Sequence, residues 1–256
     1  MSLPTYPQGR HLLSDKNVVI TAAAGTGIGF ATAKRCLEEG AAVMISDHHP
    51  RRLGESAEKL AAFGDVSAQV CDVTNEQDVQ NLVTTAVARF GGIDVWINNA
   101  GLGGTSPVTT MTDQAWHAVL DVTLTGTFRC MRAALNHMQE RRAGVIVNNA
   151  SVLGWRAQKG QAHYAAAKAG VMALTRCAAL EAAEHDVRIN GVAPSLAMHP
   201  FLAKVTSEEL LNDLAAKAAF GRPAEVWEIA NVIIFLACDL SSYMTGETIS
   251  VSSQRA

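Results

Sequence analysis

Three side chains in this sequence have the chemistry to move a proton: Ser151, Tyr164 and Lys168. Ser151 comes just after the apolar run GVIV, Tyr164 follows thirteen residues later, and Lys168 four beyond that. On one helix, i,i+4 spacing puts phenol and amine on the same face. An ammonium beside a phenol favours the phenolate, so a group with an ordinary pKa of about 10 can exchange protons nearer neutrality. Taken alone, the pair also describes a surface tyrosine and a solvated lysine on an alanine-rich helix. The elements around it decide.

The chain has 256 residues, 48% of them apolar, and a net charge of −3. That suffices for a sizeable α/β core. No basic block marks a nucleic-acid or anionic-membrane surface, and no run reaches the ~18 apolar residues of a membrane span. The start, MSLPTYPQGRHLL, lacks the charged and apolar regions of a secretory signal. Cys36, Cys71, Cys130, Cys177 and Cys238 are scattered, odd in number and without metal-ligand spacing. They read as reduced, mostly buried thiols of a cytoplasmic protein that binds no metal.

Short β-branched runs at 17–21, 42–46, 66–71, 94–98, 144–148, 187–192 and 247–252 read as strands buried on both faces. Helical stretches at 76–90, 113–121, 126–142, from 164 to about 184, and 224–236 alternate with them, with others after the first and second strands. Thr112 is the expected N-cap of the 113–121 helix, and Arg222-Pro223 the expected cap ahead of 224–236. This predicts a single α/β domain over 1–256: a Rossmann-like, doubly wound sheet of about seven parallel strands with helices on both faces. Residues 1–16 form a polar lead-in, and 196–217 a lid over the site.

In such a sheet the ligand crevice lies beyond the carboxyl ends of the strands. The first strand runs into AAAGTGIG and then a helix, a context in which bare N–H groups attract a pyrophosphate. Asp47, ending the second strand, stands where a carboxylate holds an adenosine ribose 2′-OH, or it caps the next helix. As an anion it repels a 2′-phosphate and favours NAD over NADP. Arg51 and Arg52 either reach a phosphate or stay solvated.

Across nearly its whole length the chain resembles the short-chain dehydrogenase/reductase family. The shared features are the glycine turn, Asp72 after the third strand, Asn98-Asn99-Ala100-Gly101, Ser151, Tyr164-x-x-x-Lys168 and Asn190-x-x-x-Pro194. The resemblance implies a nicotinamide cofactor, interconversion of an alcohol and a carbonyl, and a homotetramer or homodimer. Tyr164 would be the general acid/base, with Lys168 lowering its pKa and bonding the nicotinamide ribose. Ser151 would bond the substrate oxygen. Cofactor contacts carried over are Ala23, Gly25, Thr26, Gly27, Ile28, Gly29, Asp47, Asp72, Val73, Asn99, Ala100, Gly101, Tyr164, Lys168, Pro194, Ala197 and His199.

The chain departs from the family pattern in four places. Aligned on Gly27 and Gly29, Ala22 and Ala23 replace its threonine and first glycine; alternatively Thr21 keeps its role and one residue is inserted. Gly25 then offers the flexible φ. Thr123 stands where an asparagine normally holds a water that links the lysine to solvent, so it is a fourth catalytic candidate. Ser195 and His199 replace a glycine and a phosphate-binding threonine; His199 either binds phosphate or belongs to the lid. The tail SVSSQRA replaces a glycine-rich ending.

Substrate contacts are expected from Leu153, Trp155, Arg156, Met198 and Phe201, with Leu102, Gly103 and His163 nearby. The set is bulky and mostly apolar. Trp155 is either a platform or a packing residue, and Arg156 either meets an anion or lies in a rim salt bridge. AAAGTGIGFATAKR and SVSSQRA are similar to an actinobacterial branch of the family that works on hydroxylated hexahydroindane-carboxyl-CoA intermediates of sterol-ring breakdown. A CoA-linked alicyclic small molecule is therefore the expected substrate. The competing expectations are an NADPH-dependent 3-oxoacyl-thioester reductase and a non-catalytic dinucleotide sensor.

Overall fold

A computed structural model describes residues 3–198 and 208–253. Seven strands form one parallel sheet in the order β3-β2-β1-β4-β5-β6-β9. They are β1 (Asn17–Ile20), β2 (Ala42–Asp47), β3 (Val66–Val70), β4 (Val95–Asn98), β5 (Gly144–Asn149), β6 (Val187–Pro194) and β9 (Thr248–Val251). The chain reverses direction of growth between β1 and β4, which opens the crevice where such sheets bind ligands. β1, β4 and β5 are apolar on both faces because helices cover both.

On one face lie α1 (Ile28–Glu38), α2 (Pro50–Leu60) and α8 (Val226–Ala237), over a core that includes Val18, Ile20, Val43, Ile45, Ile97 and Ile233. On the other lie α3 (Glu76–Phe90), α5 (Gly126–Arg141) and α6 (Ala162–Ala183), over Val19, Met44, Trp96, Met131 and Ile146. The strands' alternation thus divides the core into two layers. Leu13 is fully buried, and the N–H groups of Arg10 and Leu12 donate to Glu39 Oε2 (2.7 and 3.2 Å), fastening the lead-in to the end of α1.

Three details differ from the sequence reading. The helices expected at 113–121 and 126–142 are continuous: α4 (Asp113–Leu120) passes through a π-turn, Asp121–Thr125, into α5. Gly126 does not break the helix because its N–H reaches the Asp121 carbonyl. A two-stranded pair, β7 (Ala197–Met198) with β8 (Ala224–Glu225), was not foreseen. At α8 the cap is Glu225, in a capping box with Glu228, rather than Arg222-Pro223; Arg222 instead forks onto both Glu228 oxygens (2.7 and 2.8 Å). Thr112 caps α4, its Oγ1 accepting from Ala115 N (3.1 Å). A further helix, α7 (Glu208–Lys217), lies in the lid region.

Candidate active site

The ends of β1, β4 and β5 meet around Thr21. Its Oγ1 accepts from the N–H groups of Asn99 (3.0 Å) and Ala100 (3.1 Å), while Asn99 Nδ2 donates to the carbonyls of Thr21 (3.2 Å) and Ala22 (2.9 Å). Thr21 therefore anchors the turn to the exit of β4. Ala22 adopts a left-handed φ of 50° and Gly25 one of 97°. For Gly25 this needs no side chain to move aside. Gly29 is required for another reason: a Cβ there would meet Asn99 Nδ2 at 2.5 Å and the Ala22 carbonyl at 2.6 Å.

At Gly25 and Gly27 a Cβ would meet nothing within 4 Å, so the turn presents bare backbone to open space. The first turn of α1 carries no acidic residue and its N-cap, Gly27, makes no side-chain cap. These N–H groups fit a pyrophosphate. Ser56 of α2, which the sequence reading missed, accepts the Gly25 N–H (3.0 Å) and props the turn from below. Ala23, Thr26 and Ile28 complete this stretch; Ala23 is fully buried in the core.

Asp47 is buried and accepts the His49 N–H (3.0 Å) and the Ala24 N–H of the glycine turn. It is not the N-cap of α2, which is His49. Burial pushes its carboxyl above the usual carboxylate range, against the pull of His48 and Arg52, whose Nη2 lies 3.9 Å away. Arg51 points outward to Glu55 (3.2 Å). Asp72 is exposed at the end of β3. Burial opposes its ionisation, but the Thr74 N–H and hydroxyl outweigh it and hold the carboxyl below its usual value. Val73 is buried against Gly126.

Ser151, Tyr164 and Lys168 converge where β5 feeds α6. Ser151 Oγ accepts the Leu153 N–H (3.2 Å) and is hydrogen-bonded to the Tyr164 phenol. Lys168 is buried, and its Nζ donates to the Asn149 carbonyl (2.5 Å) with the Tyr164 ring centroid 5.6 Å away. Burial lowers its pKa from 10.5 to about 8. Burial raises the Tyr164 phenol, and the Ser151 hydrogen bond pulls it down. The ammonium is directed at a carbonyl rather than at the phenolic oxygen.

Thr123, in the π-turn, is fully buried. Its hydroxyl donates to the Leu102 carbonyl (3.2 Å) and accepts the Leu102 N–H (3.0 Å). Its one hydrogen is thus spent on the loop after β4, not turned to Lys168. A Cβ on Gly101 would lie 3.4 Å from Lys168 Nζ and 3.9 Å from Thr123 Oγ1, so Gly101 is the gap between them. The same loop crosses α6, with Gly103 against the Tyr164 ring and Gly104 against His163.

Leu153 and Met198 are partly buried; Trp155 and Leu102 are exposed, at 53% and 41%. Arg156 is exposed on the same loop as Trp155. Pro194 ends β6 and Ala197 begins β7 beside it, while Asn190 ties β6 to the approach of β9 through Met244 O (2.8 Å) and Glu247 N (3.1 Å). His199 and Phe201 lie outside the described residues.

A family model described as enoyl-(acyl carrier protein) reductase matches residues 22–253. The chain is 61% identical, over 99% of both chains, to a Mycobacterium tuberculosis protein named (5R,7aS)-5-hydroxy-7a-methyl-1-oxo-2,3,5,6,7,7a-hexahydro-1H-indene-carboxyl-CoA reductase. A crystal structure of a short chain dehydrogenase from Mycobacterium smegmatis superposes with a TM-score of 0.88 at 55% identity, covering 100% of this chain and 99% of that one. A structure of NAD+-bound xylitol dehydrogenase superposes with a TM-score of 0.89 at 31% identity, covering 94% of this chain and 99% of that one.

Proposed function

The chain belongs to the short-chain dehydrogenase/reductase family of oxidoreductases, and we propose that it transfers a hydride between NAD(H) and an alcohol/ketone pair on a CoA-linked alicyclic substrate. The observation that carries the reading is the meeting of Ser151, Tyr164 and Lys168 beside an uncapped glycine turn. When bound, the nicotinamide supplies or accepts the hydride.

Everything else falls to this chain's residues. The backbone of 25–29 holds the pyrophosphate, and Asp47 faces the adenosine ribose. Its carboxylate, where a 2′-phosphate would come, favours NAD. Tyr164 donates the proton to the carbonyl oxygen in reduction and removes the alcohol proton in oxidation. Ser151 is hydrogen-bonded to the phenol, so a substrate oxygen that displaces this contact receives both hydroxyls. Lys168, with a pKa near 8, titrates close enough to neutrality to return the proton.

Exposed Trp155 and Leu102 flank the entrance and suit a fused-ring acyl group. The name of the 61%-identical relative supports that substrate class. The reductase of 3-oxoacyl thioesters using NADPH remains the second reading, and Arg52 beside Asp47 is the observation that favours it. Phe128 on α5 and Leu180 on α6 leave apolar surface on the two helices expected to pair in a homodimer or homotetramer.

The test is Tyr164→Phe. Turnover of a cyclic hydroxyacyl-CoA falls by at least about a hundredfold, as for loss of a general acid/base. Titration with NAD and NADP still shows NAD bound the more tightly. An intact rate in Tyr164→Phe refutes the mechanism.

A further inference from the structure

One amide at the end of β5 has no part in the roles above. Asn149 Nδ2 donates to Asn99 Oδ1 (2.9 Å), and Asn99 holds the carbonyls of Thr21 and Ala22 in the glycine turn. The backbone carbonyl of Asn149 receives Lys168. One residue therefore touches the cofactor turn through its side chain and the candidate proton-handling lysine through its main chain. Its remaining atom, Oδ1, is buried and has no hydrogen-bond partner.

An orphaned buried acceptor costs free energy and calls for an explanation. Exchanging the two ends of the amide does not remove it. Asn99 Nδ2 is committed to two carbonyls, so Asn99 offers Asn149 only its oxygen, and the Asn149 nitrogen must face it. The acceptor is thereby left without a donor from the protein. Asn148, next in the chain and on the opposite face, shows what a satisfied amide looks like here. Its oxygen accepts from Asn98 (2.8 Å) and its nitrogen donates to Thr175 (2.9 Å).

The position says which part of a ligand could supply the donor. Asn149 comes two residues before Ser151 and holds Lys168, on the side of β1 opposite β2 and β3. Asp47 and Asp72, the adenosine-side groups, end those two strands. We propose that Asn149 is a positioning residue whose Oδ1 accepts a hydrogen bond from the nicotinamide-riboside half of the bound dinucleotide. A ribose hydroxyl or the carboxamide N–H has the needed chemistry. Through Asn99 and Lys168 the same amide then registers the cofactor's reactive end against both the turn and the proton donor. The proposal rests on the dinucleotide reading above.

The experiment compares NAD with ADP, which lacks the whole nicotinamide riboside, by calorimetric titration of wild type, Asn149→Leu and Asn149→Asp, with the melting temperature of each apo protein. Asn149→Leu, of similar size, weakens NAD by about tenfold and ADP by less than about twofold, the loss of one hydrogen bond at one end. Its apo melting temperature falls by no more than a few degrees, since the Asn149 orphan is exchanged for Asn99 Oδ1, which loses its donor. Asn149→Asp keeps an acceptor and holds the NAD to ADP affinity ratio near wild type; it provides the test if the leucine variant does not fold. Equal weakening of both ligands by Asn149→Leu would show that the residue only supports the turn, and overturns the proposal. Loss of the ratio in Asn149→Asp also overturns it. If wild type binds neither ligand, the dinucleotide reading itself falls, and the proposal with it.

Discussion

Lys168 imposes a stability cost that can be read as a function of pH. It is 3% exposed, and burial lowers its pKa from 10.5 to about 8. The folded chain therefore holds this proton less tightly than the unfolded chain does. Each pH unit between those values is worth about 1.4 kcal/mol, so the charged lysine costs the fold roughly 3 kcal/mol. The cost is present in full below about pH 8 and disappears as pH rises towards 10.5. Roughly 2 kcal/mol of it is recovered between pH 7 and 9.5.

Lys168→Met removes that dependence. The variant leaves the Asn149 carbonyl without its donor, at about 1–3 kcal/mol, but that penalty does not change with pH. Other groups titrate in the same range: burial raises Cys36 and Cys71, and Tyr6 to about 12, each with the opposite sign. They are common to both proteins and cancel in the difference. Urea denaturation of the apo proteins at pH 7, 8, 9 and 9.5 reads it directly. Wild type gains roughly 2 kcal/mol on the variant across the series, while the variant has lost turnover throughout. Parallel curves would refute the reasoning, because they would show that Lys168 is not desolvated in the fold.

Two further substitutions test how the site is held. Thr123→Val strips both hydrogen bonds from Leu102 and should destabilise by about 1–3 kcal/mol, with KM for the acyl substrate rising and NAD affinity little changed. A shifted pH–rate profile at unchanged stability would instead restore the proton-relay role. Ser56→Ala removes the prop under Gly25 and should weaken NAD about fivefold in a binding titration, leaving kcat near wild type. An unchanged affinity would show that the turn holds its shape unaided.

The sheet was legible because its strands are β-branched runs ending in polar or glycine-rich turns, and those ends carry the chemistry. What escaped had no local signature. The π-turn keeps a helical sequence pattern, so only the Gly126–Asp121 bond reveals it. Strands of two residues, as in β7 and β8, are too short to alternate. Whether Thr21 or Ala22 anchors the turn could not be settled along the chain, because the partners that decide it, Asn99 and Ala100, lie on β4's exit. Spacing placed Tyr164 and Lys168 on one face correctly, yet spacing carries no information on burial. Burial is what drives both of their pKa values in the direction opposite to ionisation.

The two sides of the strand ends divide the work. Asn98 and Asn148 point into the α5–α6 layer and form a closed chain, from Trp96 Nε1 through both amides to Thr175, whose hydroxyl ends on the Val171 carbonyl. Every link is buried, and a fully satisfied buried network rigidifies what it joins. One residue further on, Asn99 and Asn149 face the glycine turn, and here the satisfaction stops: Oδ1 of Asn149 is orphaned and the lysine on its carbonyl is desolvated. Local costs persist only where the surroundings over-determine them. Strands clamped on one face by a closed amide chain supply that constraint on the other. The unfavourable groups therefore collect on the side that a cofactor would cover, where binding can relieve them.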